Sequence, residues 1–303
     1  MSETNGTYAT HHGSERSAPT AAPVMRLGDL IGTLRDDATE AYEARVSGQL
    51  RGPVTRIPLL DDALGGALQP GVHVLHAGSG VGKTALALQI AATCGFPALF
   101  VTCEMAPLEL LRRHTARVTN TFLGRLKRGE FEPERVVSLA EAACLAAPDL
   151  ALMDATMAPA LASNMVMIAR AMQGDHRSVL IVVDSLHSWA SGGAFAEGDE
   201  YARLAVALAD LRGVASQLAA PVLVIAERNR ASMKKGGLNA GAGHRGVEYG
   251  AESVWGLDKE DDATRGPLGD LPVKLTIEKN RNGALGRPID LSFYGATMKF
   301  AGA

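Results

Sequence analysis

The segment Ala77-Gly78-Ser79-Gly80-Val81-Gly82-Lys83-Thr84 constrains this chain more than any other. It follows an alternating apolar run, Val72 to His76, and opens an apolar-periodic run, Ala85 to Ala92. The pattern predicts strand, glycine loop and helix, the setting in which such a loop cradles phosphate. Successive backbone N–H groups turn into one concavity there, and the helix N-terminus behind them favours negative charge. The expected nucleotide-binding residues are Gly78, Ser79, Gly80, Val81, Gly82, Lys83, Thr84 and Ala85. Lys83 would reach the β- and γ-phosphates and the Thr84 hydroxyl would complete the shell of a Mg²⁺ ion, so ATP and Mg²⁺ are the expected ligands. Ala77 stands where a first glycine is usual, which a strand-like residue tolerates because only the later positions need glycine's freedom. A ligand-free glycine turn is the plain alternative, but it gives no reason for Lys and then Thr in register.

With 303 residues, 47% of them apolar, the chain can surround that loop with one large core or two modest ones. No uncharged apolar stretch reaches the roughly 18 residues of a membrane span. The N-terminus lacks a basic region followed by an apolar one, so a cytoplasmic location without membrane attachment is expected. Cys94, Cys103 and Cys144 are widely spaced and read as small buried residues in a reducing compartment. A net charge of −3 means that any nucleic acid must be held by a local patch.

Residues 1–23 carry no apolar period and are expected to be disordered. Leu27, Leu30, Ile31, Leu34, Ala38 and Ala41 then fall on one face of a helix running to about Val46, within a linker at 24–52. Its stripe packs either on its own domain or on the next subunit. The main domain is expected at 53–303. Ala98–Thr102, Val179–Val183 and Val222–Ala226 read as apolar strands. Between them, helices are expected from Pro107, over Glu134–Ala147 with Val137, Ala140, Ala143 and Cys144 on one face, over Ala158–Met172, and from Leu204 to Leu218. Strands alternating with helices predict an α/β fold with a mostly parallel sheet covered on both faces. Methionines 153, 157, 165, 167 and 172 read as core packing rather than a soft groove. Val254–Leu257, Val273–Glu278 and Pro288–Phe293 leave no room for helices, and the last two are expected to form a C-terminal β-hairpin across Asn280–Gly286.

Asp184 ends the apolar strand Val179–Val183, where a carboxylate holds or orients the Mg²⁺. Hydrolysis also needs a base near the γ-phosphate. Glu104, just after another strand, is the candidate, with a helix-capping role beside Pro107 as the alternative. Glu227 ends a third strand and could sense the γ-phosphate, help place water, or pair with Arg228 or Arg230.

With these blocks in order, residues Pro53 to Phe300 resemble the RecA-like ATPase domain of the DnaB-like bacterial replicative helicases. Thr102-Cys103-Glu104-Met105, with Glu109-Leu110 and Arg113 downstream, resembles the segment carrying that family's catalytic glutamate. Asp184 matches its metal-associated Asp. Ala226-Glu227-Arg228-Asn229-Arg230 is similar to its Ser-Gln-Leu-Asn-Arg segment, with Glu227 in place of the sensor glutamine. Lys279-Asn280-Arg281-Asn282-Gly283-Ala284-Leu285-Gly286 matches its late hairpin, where the resemblance implies that Lys279 and Arg281 reach the neighbouring subunit's ATP site. Phe293, Gly295 and Phe300 resemble the closing strand. The resemblance implies a RecA-like P-loop core, an ATP-driven helicase or single-stranded DNA translocase, a hexameric ring, and replication or recombination proteins as partners. Leu27–Val46 would be the linker helix that docks on an adjacent subunit. No collar-domain pattern precedes it, so compact plasmid- or phage-type helicases are the expected kin. A RecA-like ATPase that organises DNA or a partner without strand separation fits the same residues.

Between Arg228 and Arg245 the chain is basic and glycine-rich, without an acidic residue. Lys234, Lys235 and Arg245 are the expected phosphate contacts for single-stranded DNA lining a ring. A solvated loop without a ligand is the alternative reading.

Overall fold

In four central strands, neighbouring side chains enter different cores, which is why those strands read as unbroken apolar runs. Leu75, Phe100, Val182 and Leu223 join one buried cluster, while Val74, Leu99, Val183 and Val224 join the other. A strand covered on both faces has no solvent side on which to alternate. The computed structural model describes residues 24–192, 200–227, 250–259 and 269–302.

The chain divides into two units, Met1–Gln49 and Leu50–Ala303. In the first, a 3₁₀ turn at Leu27–Leu30 leads into α1, Ile31–Ser47, which stops at Gly48 in the left-handed conformation (φ 70°). Leu27, Ile31 and Leu34 lie along it in the spacing the sequence suggests, and all three are exposed. Among the described residues of its unit, the helix has nothing against which to bury such a stripe.

The second unit begins with α2 (Pro58–Ala63), β1 (Gly71–Ala77), α3 (Lys83–Thr93) and β2 (Ala98–Thr102). Next come α4 (Pro107–Thr119), α5 (Leu123–Lys127), α6 (Pro133–Leu145), β3 (Leu150–Asp154), α7 (Ala162–Gln173) and β4 (Leu180–Asp184). The chain continues through α8 (Leu186–Ser191), α9 (Glu200–Leu218), β5 (Pro221–Glu227), β6 (Ser253–Lys259), β7 (Leu271–Asn280), β8 (Ile289–Tyr294) and β9 (Lys299–Gly302). Among the described residues these strands form one sheet in the order β3-β2-β4-β5-β1-β6-β7-β8-β9. It is parallel from β3 through β6, and β6 to β9 form an antiparallel meander. Helices α2, α3 and α4 cover one face, and α7, α8 and α9 the other. The expected hairpin is present, with Leu275 opposite Ile289. On β7, Val273, Leu275 and Ile277 are buried and their neighbours less so, the alternation of a strand with one face on the core.

Several expectations change. Strand β3 and the short helices α5 and α8 were not foreseen. Helix α7 starts at Ala162 rather than Ala158, because Leu161 still has extended dihedrals (φ −74°, ψ 142°). Helix α6 turns Val136, Leu139, Ala140 and Ala143 inward, so Val137 and Cys144 are exposed. Of the cysteines only Cys94 is buried; Cys103 is half-buried. The methionines divide: Met165 is fully buried, but Met157 and Met167 are exposed and so are not core residues.

Candidate nucleotide site

The loop predicted to cradle phosphate has the backbone such a cradle needs. Ala77 is the last residue of β1, and α3 begins at Lys83. Gly80 and Gly82 take the left-handed region (φ 79° and 103°), whereas Gly78 does not, so glycine's freedom is used only at the later positions. Gly82 is needed for a second reason: a Cβ there would sit 2.9 Å from Phe300 Cζ and 3.1 Å from the Phe293 ring. Those rings stack with centroids 4.6 Å apart, and they support the loop from β8 and β9. Gln89 of α3 ties the same elements together, donating to Phe300 O (3.0 Å) and accepting from Phe300 N (2.9 Å).

The sheet order gathers three carboxylates at this end. In register, Ala77 pairs with Glu227 and Thr102 with Asp184, and Glu104 lies two residues beyond β2. Glu104, Asp184 and Glu227 line a cavity of about 280 Å³ with Ser79, Gly80, Gly82, Lys83, Thr84 and Ala85. Lys83 Nζ donates to Ala77 O (3.0 Å) and Gly78 O (3.1 Å). Burial pulls its ammonium below the ordinary lysine value, while Glu227, Asp184 and Glu104 pull it back up. Burial pushes the Asp184 carboxyl up to about 6, with the Thr84 hydroxyl bonded to it and lowering it, and the Glu104 charge raising it. Burial and these same two acids push the Cys103 thiol up to about 12, which makes it a poor nucleophile.

Thr84 and Asp184 offer one hydroxyl and one carboxylate, hard oxygen donors that suit Mg²⁺. Among the described residues no cluster of three or more His, Cys, Asp or Glu side chains would hold a metal alone.

Arg113, Ser185, Phe293 and Met298 also line this cavity, and sequence reading gave them no role there. Arg113 bonds Glu109 (3.3 Å) and approaches Met298 Sδ (3.7 Å). Lys279 and Arg281 are not brought to the cavity. They lie towards the other end of the sheet, where Ser253, the first residue of β6, pairs with Asn280. Arg281 donates its backbone N–H to Glu252 O (2.9 Å) and its side chain to Glu252 Oε1 (3.1 Å). Glu252 in turn bonds Val72 O, at the start of β1. Lys234, Lys235 and Arg245 lie outside the described residues.

The sequence profile of the DnaB-like helicase C-terminal domain matches residues 52–302. The chain belongs to that family. This DnaB-like chain is 24% identical over 287 residues to the replicative DNA helicase DnaB of Treponema pallidum (strain Nichols). The match covers 89% of this chain, which spans 61% of that relative's length. Two solved structures share the fold. One, a DnaB-like replicative helicase described with its interactions with primase, matches with a TM-score of 0.73 and 17% identity over 92% of this chain and 67% of its own. The other, a KaiC-like protein from Pyrococcus horikoshii OT3, matches with a TM-score of 0.54 and 18% identity over 84% of this chain and 99% of its own. The core is thus a RecA-like α/β ATPase fold of the P-loop type. No helix among the described residues is long and apolar enough to cross a membrane.

Proposed function

We propose that this DnaB-like protein is an ATP-driven DNA helicase or single-stranded DNA translocase that works as a ring, in the hexameric form the family resemblance implies, in the cytoplasm. The observation that carries the reading is the separation of Arg281 from Lys83 within one chain. Lys83 follows the C-terminal end of β1, while Glu252, which holds Arg281, bonds Val72 near its start. The five residue steps from Val72 to Ala77 span about 17 Å. Arg281 is therefore too far from its own phosphate loop to serve it, and we assign it to another subunit's site.

In that composite site Lys83 and the loop N–H groups hold the phosphates. Glu104 takes a proton from the attacking water as oxygen bonds to the γ-phosphorus and the bridging bond to ADP breaks. Bound through Thr84 and Asp184, Mg²⁺ would supply charge neutralisation on the phosphate oxygens. Arg281, with Lys279 beside it, would meet the charge developing on the neighbour's γ-phosphate. Glu227 adds negative charge close to Lys83 and is assigned to sensing phosphate or placing water.

The exposed α1 stripe is assigned to the adjacent subunit. A fitting receptor is the apolar groove of about 870 Å³ lined by Leu88, Leu108, Leu111 and Leu145. The basic segment with Lys234, Lys235 and Arg245 is assigned to the DNA backbone. Replication proteins, a primase among them, are the proposed partners.

Electron microscopy with ATP and single-stranded DNA, together with unwinding of a forked duplex, tests the reading. Rings that unwind support it. Filaments that hydrolyse ATP without unwinding favour the DNA-organising alternative.

A further inference from the structure

Two serines on a different element hold the carboxylate assigned as the base. Ser185 Oγ and Ser188 Oγ both donate to Glu104 Oε1, the latter at 2.6 Å. They stand at the start of α8, where Ser185 also caps the helix by accepting from Ser188 N (3.4 Å), and their hydroxyl oxygens lie 3.2 Å apart. The backbone beneath Glu104 is fixed separately, since Cys103 N donates to Asp184 O (2.7 Å).

A carboxylate oxygen has about two lone-pair directions. Two hydroxyl donors on Oε1 therefore occupy that oxygen and leave Oε2 to face a water. They also remove the freedom a glutamate side chain would otherwise have to swing about its last torsion, which is broad and weakly restrained. Lys83 and Arg113 line the same cavity, and either could draw a loose carboxylate towards itself and away from the γ-phosphate.

We propose that Ser188, with Ser185, is a positioning residue for Glu104: the pair pins Oε1 so that Oε2 addresses the attacking water. The proposal rests on the reading of Glu104 as the base, and the experiment separates the two. ATP affinity and single-turnover hydrolysis are measured on the full chain for Ser188→Ala, Ser188→Thr, Glu104→Gln and the double variant Glu104→Gln/Ser188→Ala.

Misplacement of a reacting group by about 1 Å can cost on the order of a hundredfold in rate. Ser188→Ala, which keeps Ser185, is expected to lose roughly tenfold or more in the hydrolysis rate with ATP affinity unchanged. Ser188→Thr keeps the hydroxyl and is expected to restore the rate. In the Glu104→Gln background, adding Ser188→Ala is expected to change nothing, because residues that act as a unit are not additive. A merely structural serine would lower ATP affinity as well and would act equally in both backgrounds, and that pattern overturns the proposal. Wild-type turnover in Ser188→Ala beside an inactive Glu104→Gln overturns it while leaving the base in place. Wild-type turnover in Glu104→Gln removes the base reading, and the proposal with it.

Discussion

The Thr84 hydroxyl is hydrogen-bonded to the Asp184 carboxylate, across the space between the start of α3 and the end of β4. That bond does not offset the burial of Asp184, whose pKa is pushed up to about 6 from 3.8. The sign follows: an acid with a raised folded-state pKa destabilises the fold above that pKa, and the penalty fades as pH falls through 6 towards 3.8. A shift of about two units corresponds to roughly 2–3 kcal/mol. Asp184→Asn should therefore raise the Tm of the nucleotide-free protein at pH 7.5, with the advantage shrinking by pH 5. His73 and His114, whose pKa values burial lowers, act in the opposite sense: stability falls as pH drops below their unfolded value of about 6.5. Both proteins contain them, so thermal melts of the pair across pH isolate Asp184. A pH-independent difference would contradict the assignment.

Gly82→Ala tests the support beneath the phosphate loop. The new Cβ meets Phe293 and Phe300 at a residue with φ 103°. The expected loss is about 1–3 kcal/mol of stability, together with weaker ATP binding. Denaturant melts and nucleotide titration would show whether both fall together.

Replacing Ile31 and Leu34 by Asp removes the apolar stripe of α1. Sedimentation is expected to show loss of the ring with the folded core retained by circular dichroism. An unchanged oligomer would place the subunit contact elsewhere.

Lys234→Ala with Lys235→Ala should weaken single-stranded DNA binding on unrelated sequences alike. The salt slope should fall by about 0.7 per lost phosphate contact. Titrations at several salt concentrations read both quantities, and an unchanged slope would move the DNA site away from this segment.

What could be read in advance was local. The loop from Ala77 to Thr84 announces itself because its strand, glycines and helix are consecutive. The central strands were legible as apolar runs because Leu75 and Val74, like Val182 and Val183, feed opposite cores. Strand β3 was missed because Leu150 to Met153 form an apolar run so short that periodicity alone does not separate it from a buried helix segment. Cys144 was misplaced because Ala140 and Ala143 fit two overlapping helical faces, and packing selects the one with Val136 and Leu139. The bonds from Ser185 and Ser188 to Glu104 cross 81 and 84 positions and exist because β2 and β4 are neighbours. No local pattern carries such information.

The remoteness of Arg281 from Lys83 also depends on strand order, and it makes the mixing of two inactive variants the most direct test. Lys83→Ala keeps a working Arg281 but loses its own phosphate loop, whereas Arg281→Ala keeps the loop and loses the arginine it would lend. Each is expected to be inactive alone, with Arg281→Ala still binding ATP, and the loss on removing such an arginine can reach about 10³-fold. Mixed, the two are expected to regain ATPase activity wherever an intact loop faces an intact Arg281. Wild-type hydrolysis by Arg281→Ala alone would contradict catalysis across the subunit boundary.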